Sequence, residues 1–320
     1  MKLLQKKNII GLAAIIIAYF AVQLLMDQGI IEPFYTSTIY VIGINIILAV
    51  SLNLITGFTG QFSLGHAGFM SIGAFTSAVV ISNFNQSFAV SILLAAFTAA
   101  AAGVLIGIPT LRLNGDYLAI ATLGFGEIIA VIIQNNDYLG GAAGFNDIPL
   151  NINWAWVYFS VVITVLLISN FVKSYQGRAC IAIREDEIAA EAMGVNTTYY
   201  KVLAFVIGAA FAGVAGALYG SQVGIINPKD FQFAKSIDIL VMVVFGGMGS
   251  IMGSIIGATS LAIISMLLQD SPEGLRLVIY AVILFLIMLF RPQGLLGKTG
   301  PKFLKRRLKA DAGAQSKKTI

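Results

Sequence analysis

The amino-acid sequence predicts an all-α integral membrane protein with about ten transmembrane helices. Two features of its composition lead to this fold class: 58% of the 320 residues are hydrophobic and only 11% are charged, against about 25% charged in an ordinary soluble domain. A chain this apolar cannot cover itself with polar surface, which excludes a soluble globular protein. Continuous apolar runs such as 9–17 and 278–290 favour helices over a β-barrel, whose strands alternate in polarity.

Ten apolar stretches approach the length of about 20 residues that one helix needs to cross a bilayer core about 30 Å thick. They lie at 9–26, 38–56, 64–82, 88–108, 117–134, 154–172, 202–222, 237–249, 251–268 and 275–290. The eighth is short and ends in Gly246, Gly247 and Gly249, so it is predicted to be a broken or re-entrant helix, and the count lies between eight and ten. We divide the chain into one polytopic membrane domain, 1–300, and a basic tail, 301–320.

The positive charges indicate that both termini lie in the cytoplasm. When the N-terminus is placed inside and ten spans are threaded, all but three of the 20 Lys and Arg residues fall on the cytoplasmic side. The three exceptions are Lys229, Lys235 and Arg276. This asymmetry follows the positive-inside rule, and it places the basic tail near anionic lipid headgroups.

The longest predicted cytoplasmic connection, 173–201, contains a short amphipathic helix outside the membrane. Asp186 is a candidate N-cap, Glu187 suits the positive end of a helix, and Gly194 is a natural stop. An apolar face at helical spacing is formed by Ile188, Ala189, Ala192 and Met193. The residues alone leave two interpretations open: a solvated connection on the headgroups, or a docking helix for a cytoplasmic partner.

Polar residues at membrane depth are candidates for a translocation path. Glu127 lies near the middle of the fifth span, where a carboxylate costs about 2.5–3.5 kcal/mol and must face protein or a watery cavity. It either lines a path or forms a structural hydrogen bond to a neighbouring helix. A second polar group surrounds the second and third spans in a Gly-rich stretch, 57–68, which predicts an unwound segment lining a cavity; its members are Asn45, Asn53, Gln61 and His66.

Other kinds of site are disfavoured. His66 is the only histidine and Cys180 the only cysteine, so a multi-histidine metal site and an internal disulfide are excluded. Gly297-Lys298-Thr299 resembles the end of a phosphate-binding loop, but the first glycine of that motif is replaced by Pro292. We therefore expect no enzyme activity and no cofactor on this chain, and the net charge of +5 indicates membrane orientation rather than a nucleic-acid partner.

Small residues predict where helices pack closely, and aromatic residues predict where a span meets the membrane interface. Ala212, Gly216 and Gly220 repeat at four-residue spacing, as do Gly249, Gly253 and Gly257, and such faces let helices approach closely in lipid. Trp154 and Trp156 begin the sixth span on the outer side, as interfacial anchors do.

Four stretches resemble the LivM-type permease of branched-chain amino acid ABC transporters. They are 57–69, 113–128, 184–194 and 291–297, and the third ends in the Glu-Ala-x-Gly sequence at 191–194. The resemblance implies a permease subunit of a prokaryotic cell membrane, with two inverted halves of about five spans as in type II ABC importers. It also implies four partners: a second homologous permease, two cytoplasmic ATPase subunits that bind ATP and Mg, and an extracytoplasmic substrate-binding protein.

From the resemblance we expect import of leucine, isoleucine and valine by alternating access. The residues expected to couple the permease to the ATPase are Arg184, Glu185, Asp186, Glu187, Glu191, Ala192 and Gly194. The residues expected on the translocation pathway are Asn53, Gln61, His66 and Glu127. Three alternatives stay open: a permease for urea or another small polar solute in the same superfamily, an ion-coupled secondary transporter, and a passive channel.

Overall fold

A computed structural model of the protein describes residues 2–29, 32–110, 113, 115–268, 282 and 294–296. Within these ranges the regular structure is helical, apart from one isolated bridge between Phe145 and Ile226, which confirms the all-α fold class. The basic tail, the glycine–lysine–threonine sequence at 297–299 and all of the tenth predicted span except residue 282 lie outside the described residues.

The chain forms eleven α-helices in these ranges. They are α1 (Lys2–Asp27), α2 (Pro33–Asn53), α3 (His66–Ser82), α4 (Phe88–Thr110), α5 (Asp116–Gln134), α6 (Trp154–Lys173), α7 (Tyr175–Glu185), α8 (Glu187–Ala192), α9 (Thr197–Val223), α10 (Phe233–Gly246) and α11 (Ile251–Leu267). A π-helical turn, Leu54–Phe58, continues α2, and short 3-10 turns lie at Asp137–Leu139, Gly141–Ala143 and Pro228–Phe231. Each of the first nine predicted spans coincides with one of these helices.

Five helical segments in the described part are long and apolar enough to cross a membrane. They are Phe34–Phe58, Phe88–Thr110, Asp116–Gln134, Trp154–Lys173 and Thr197–Val223. Shorter apolar helices are formed by Ile15–Asp27, His66–Ser82 and Ile251–Leu267. The hydrophobic character of these helices establishes a membrane protein.

The eighth predicted span is short because the chain turns back on itself. Helix α10 has 14 residues, so it extends only about 21 Å. The corner at 247–250 follows, and α11 then runs antiparallel to α10, because the backbone of Gly246 meets Gly253 while Met242 meets Gly257. The predicted interruption at the glycines is therefore a corner between two helices.

Helix α9 packs at the centre of the bundle against α3 and α4 through small residues. Ala212, Gly216 and Gly220 are buried on α9 as predicted, and a Cβ at Gly216 would collide with the carbonyl oxygen of Met70 on α3. The second predicted small-residue face is only partly right. Gly253 and Gly257 pack against α10, but Gly249 lies in the corner at φ +79°, where the backbone conformation rather than helix packing requires glycine.

The first turns of α6 hold α1 against the bundle. Trp154 donates from its indole Nε1 to the carbonyl oxygen of Tyr19 at 3.3 Å, and the Tyr158 hydroxyl donates to the carbonyl oxygen of Ile15 at 2.7 Å. Trp154, predicted as an interfacial anchor, thus also fixes the position of a neighbouring helix.

The close contact at Gly216 predicts a large effect of one methyl group. Gly216→Ala should destabilise the protein by about 1–3 kcal/mol, because α9 and α3 must separate to admit a Cβ against backbone atoms. Gly124→Ala is the matched control, since a Cβ at Gly124 meets nothing within 4 Å. The measurement is the temperature at which half of the detergent-solubilised protein loses its monodisperse size-exclusion peak; equal midpoints for the two variants would contradict the packing argument.

Candidate translocation and coupling site

The chain between α2 and α3 is unwound at 59–65, inside the Gly-rich stretch that predicted an unwound segment. The break follows the π-helical turn, and two donors satisfy carbonyl groups that lose their helical partners there. The Thr59 hydroxyl donates to Leu54 O at 2.7 Å, and the Gln61 amide N–H donates to Ile55 O at 3.1 Å. The break is therefore a hydrogen-bonded structure and not a frayed helix end.

The end of the unwound segment bonds α5, and the first turn of α3 bonds α10. The Leu64 N–H donates to the Thr122 hydroxyl on α5 at 3.0 Å, and the Ala67 N–H donates to the Ser236 hydroxyl on α10 at 3.2 Å. Sequence reasoning did not select Thr122 or Ser236. The available signal was one Thr or Ser hydroxyl within a membrane helix, which is too common in such helices to identify a site.

The structure assigns different surroundings to three of the predicted pathway residues. Asn53 is fully buried; its Nδ2 donates to Ser250 O at 3.0 Å and its Oδ1 accepts from Gly249 N at 2.8 Å. His66 is buried, and its Nε2 lies 2.9 Å from the Ser51 hydroxyl. Gln61 is buried, and neither side-chain amide atom has a partner among the described residues.

Buried polar atoms without a partner are concentrated in and just after the unwound segment. Among the residues that the structure describes, they include both amide atoms of Gln61, the hydroxyls of Ser63 and Ser71, and Nδ1 of His66. An unsatisfied buried polar atom costs about 1–3 kcal/mol. A polar solute or water that reached this segment would recover part of that cost, which supports a path here.

Glu127 occupies a different place from the other three predicted pathway residues. It is half-buried on α5, and its Oε1 accepts from the Phe233 N–H at 3.2 Å. Phe233 is the first residue of α10, whose N-cap residue, Gln232, makes no side-chain cap. The carboxylate therefore caps the positive end of α10, and none of the described hydrogen bonds joins it to Asn53, Gln61 or His66.

The predicted short helix in the connection 173–201 is present as α8. Asp186 is its N-cap, because Oδ1 accepts from the Ala189 N–H at 3.0 Å. Gly194 ends it at φ +85°, with Gly194 N donating to Glu191 O at 2.9 Å and Val195 N donating to Ala190 O at 3.1 Å. The N-cap and the glycine stop are both confirmed.

The apolar face of α8 points away from the other residues that the structure describes. Ile188 is 82% exposed and Met193 is 84% exposed, whereas Ala190 is the buried residue of the helix. Most of the predicted coupling residues are exposed with that face: Glu185, Asp186, Glu191, Ala192 and Gly194. An exposed apolar helix face bordered by carboxylates is typical of a protein-binding surface.

Two polar contacts hold this segment against the membrane helices. The Glu187 carboxylate pairs with the Lys201 ammonium at the start of α9, at 2.5 Å. Arg184 points inward: Nη1 donates to Gly57 O at 2.6 Å, and Nη2 pairs with Glu185 at 2.6 Å. A cavity of about 300 Å³ between the unwound segment and 183–187 is lined by Gln61, Arg184 and Lys201 among others.

The similarity of the chain to known proteins identifies its family. The model of the family "Branched-chain amino acid transport system / permease component" matches residues 34–288. The chain is also 35% identical to the high-affinity branched-chain amino acid transport system permease protein LivM of Escherichia coli (strain K12), over 97% of this chain and 80% of LivM. The chain belongs to this permease family. Its membership confirms the resemblance carried by the four sequence motifs.

Two further permeases and one solved structure are also similar to this chain. LivM of Salmonella typhimurium is 35% identical, over 92% of this chain and 76% of its own length. The permease LivH of Escherichia coli (strain K12) is 33% identical over 180 residues, 55% of this chain and 58% of LivH. A solved metal-chelate type ABC transporter in an inward-facing conformation has a TM-score of 0.50 at 15% identity, covering 89% of this chain and 99% of its own; this likeness concerns the fold alone.

Neither metal chemistry nor thiol chemistry is supported in the part of the permease that the structure describes. No three His, Cys, Asp or Glu side chains there are grouped closely enough to hold a metal ion. Cys180 on α7 is fully buried, with its Sγ 3.7 Å from Tyr200 O. Burial raises the pKa of the Cys180 thiol to about 11, so the thiol stays neutral and unreactive near pH 7.

The unreactive native cysteine allows a direct test of where α8 lies. A membrane-impermeant maleimide should label Met193→Cys rapidly in inside-out vesicles and not in right-side-out vesicles, while the unmodified protein stays unlabelled in both. The thiolate fraction of a thiol with ordinary pKa exceeds that of Cys180 by on the order of a hundredfold at pH 7.

The matched control is Phe84→Cys in the connection between α3 and α4, where Phe84 is 62% exposed. In the predicted topology the connection between the third and fourth spans lies outside, so Phe84→Cys should label only in right-side-out vesicles. Labelling of Met193→Cys from the outside would contradict a cytoplasmic α8.

Proposed function

We propose that this permease is the membrane-spanning subunit of an ATP-binding cassette importer for leucine, isoleucine and valine. The observation that carries the proposal is its 35% identity, over nearly its whole length, to the branched-chain amino acid permease LivM. Transport proceeds by alternating access, in which the spans rock about a central path. The permease itself holds no nucleotide; ATP and Mg are bound and used by the ATPase subunits.

The working transporter contains four partner subunits. A second homologous permease is supported by the similarity of the chain to LivH as well as LivM. Two cytoplasmic ATPase subunits and an extracytoplasmic binding protein complete the complex in the cell membrane of a prokaryote. The binding protein delivers the amino acid at the outer face, and no nucleic acid takes part.

The proposed architecture is one domain over 1–300 with ten spans, both termini in the cytoplasm, and two inverted halves of five spans. The distribution of Lys and Arg supports the orientation. The helices that coincide with the first nine predicted spans support the count. In this orientation the connection 173–201 faces the ATPase, and the tail 301–320 lies on the inner leaflet.

The docking surface for the ATPase is the exposed face of α8. Ile188 and Met193 supply its apolar centre, and the coupling carboxylates surround that centre. Asp186 and Gly194 act through the backbone, because they define where the helix begins and ends. Aliphatic side chains at the centre of a charged rim are the arrangement expected at a protein interface.

The proposed path runs beside the unwound segment, with Asn53, Gln61, His66 and Glu127 as its polar residues. The unpartnered amide of Gln61 and the unpartnered Nδ1 of His66 support this placement. Amide and imidazole groups can exchange hydrogen bonds with a passing ammonium or carboxylate without a fixed charge that would retain it.

Uptake in sealed vesicles tests the function. The permease alone should be inert, and uptake of radiolabelled leucine should become ATP-dependent once the second permease, the ATPases and the binding protein are added. Transport by this chain alone with an ion gradient would instead identify a secondary transporter, and transport with no energy source would identify a channel. ATP-dependent uptake of urea but not leucine would overturn the substrate assignment.

A charge placed in the docking face should separate the permease from its ATPase. Ile188→Asp should lower the amount of ATPase that co-purifies, and with it leucine uptake, by at least about tenfold, as expected at a central interface residue. Phe84→Asp is the matched control, because it places the same charge at an exposed apolar residue on the opposite side. Normal co-purification of Ile188→Asp would show that the ATPase docks elsewhere.

The carboxylate at Glu127 can be tested separately from its role as a cap. Glu127→Gln keeps an oxygen that accepts from the Phe233 N–H, so the complex should assemble, while loss of the charge lowers uptake by about tenfold. Asp137→Asn, the same change in an exposed 3-10 turn, should leave uptake unchanged. Full uptake by Glu127→Gln would restrict Glu127 to capping α10.

A further inference from the structure

Two helix breaks and the coupling segment meet at one place in this permease. The first break is the end of the π-helical turn at Gly57. The second is the corner at 247–250 between α10 and α11. The side chain of Arg184, two residues before the N-cap of α8, reaches the same place. Each of these elements is far from the others in sequence, so the junction is purely tertiary.

Asn53 joins the two breaks to each other. Its side-chain amide forms two hydrogen bonds to the backbone of the corner. The nitrogen Nδ2 donates to Ser250 O at 3.0 Å, and the oxygen Oδ1 accepts from Gly249 N at 2.8 Å. A Cβ at Gly57 would collide with Asn53 Oδ1 and with Gly249 N. The backbones of the two breaks therefore touch, with Asn53 fully buried beside them. Since the amide nitrogen and the amide oxygen both bond the corner, Asn53 holds the corner in place.

Arg184 adds the coupling segment to this junction. Its Nη1 donates to Gly57 O at 2.6 Å, and its side chain is only 17% exposed. A Cβ at Gly60 would lie 2.9 Å from Arg184 Cγ, and a Cβ at Gly249 would lie 2.8 Å from Arg184 Nη1. The arginine thus occupies the space that side chains at both glycines would need.

The chemistry of this contact suits a guanidinium. Carbonyl groups at the end of a helix lack intrahelical donors and carry partial negative charge. The guanidinium is always protonated and rigidly forked, so one arm can bond Gly57 O while the other pairs with Glu185. A hydrogen bond from a charged donor is about twice as strong as a neutral one.

The 294–296 segment also bonds the backbone beside the corner. Leu295 N donates to Phe245 O and Leu296 N donates to Gly246 O, both at 3.0 Å. These bonds satisfy the last carbonyl groups of α10, so the corner can move as a unit with that helix. The other contact of α8 is the ion pair between Glu187 and Lys201 on α9. Helix α9 has no break, so it offers no hinge at which a few dihedral changes could produce a movement.

We propose that Arg184 and Asn53 are positioning residues that connect the docking helix to both helix breaks. Movement of α8 by the ATPase would pull Gly57 through Arg184 and the corner through Asn53, and so would shift the unwound segment that borders the path. This proposal rests on the proposed function, which supplies the ATPase as the partner that moves α8. It changes the expected role of both residues: Arg184 is an internal link and not part of the docking surface, and Asn53 holds two breaks together and does not contact the solute.

The coupling ratio of the reconstituted complex tests the link. Arg184→Gln should lower the number of leucine molecules moved per ATP hydrolysed by about tenfold. Arg184→Lys should recover part of the ratio, because an ammonium can still donate to Gly57 O. Arg178→Gln is the matched control on the same helix, since Arg178 Nη1 donates to Lys173 O and not to a break; it should keep the normal ratio.

Asn53→Asp tests the second half of the link. The carboxylate still accepts from Gly249 N but no longer donates to Ser250 O, so the coupling ratio should fall as in Arg184→Gln. If the two residues act in one chain of contacts, the double variant should be no worse than the more severe single variant. Additive losses, an unchanged ratio in Arg184→Gln, or equal falls in uptake and ATP hydrolysis would overturn the proposal.

A second measurement does not depend on transport. Amide hydrogen exchange in the purified permease should be faster at 59–65 and 249–250 in Arg184→Gln than in Arg178→Gln. If the unmodified complex shows no ATP-driven uptake, the proposed function fails, and this comparison still decides whether Arg184 holds the breaks. Equal exchange in the two variants would overturn the link whatever the complex transports.

Discussion

The structure depends on satisfying backbone groups where helices break inside an apolar bundle. Each break frees carbonyl and amide groups that cost free energy when they are buried without partners. Here Thr59 supplies a hydroxyl, Asn53 an amide, Arg184 a guanidinium and the 294–296 segment two backbone N–H groups. Because Asn53, Arg184 and the 294–296 segment bond breaks that are distant from them in sequence, these contacts also fix how the helices are arranged.

Small residues provide the second constraint, since lipid gives helices little hydrophobic reason to associate. The backbones of α3 and α9 approach closely at Gly216, and α10 and α11 approach closely at Gly253 and Gly257. Contacts made through backbone atoms leave few rotamers to adjust, so the bundle responds to force as a set of rigid helices. The movement that we propose would then be concentrated at the unwound segment and at the corner.

Local signals in the sequence predicted most of the fold. The apolar stretches located nine helices, and the chemistry of Asp186 and Gly194 located both ends of α8, because caps depend on residues within one turn. Tertiary partners were not accessible in this way. Asn53 was expected on the path, yet its amide bonds residues almost two hundred positions away, and Gly249 was placed in a packing face although it forms a corner. Hydroxyl residues in membrane helices, such as Thr122 and Ser236, do not reveal which neighbour they will meet.

The capping of α10 by Leu295 and Leu296 has a consequence for biosynthesis. Those two residues leave the ribosome only after the tenth predicted span, whereas α10 and its corner are inserted much earlier. The carbonyl groups of Phe245 and Gly246 therefore gain these donors only after residue 296 has been synthesised. A nascent chain that stops short of this segment carries α10 into the bilayer before the last carbonyl groups of that helix have these partners.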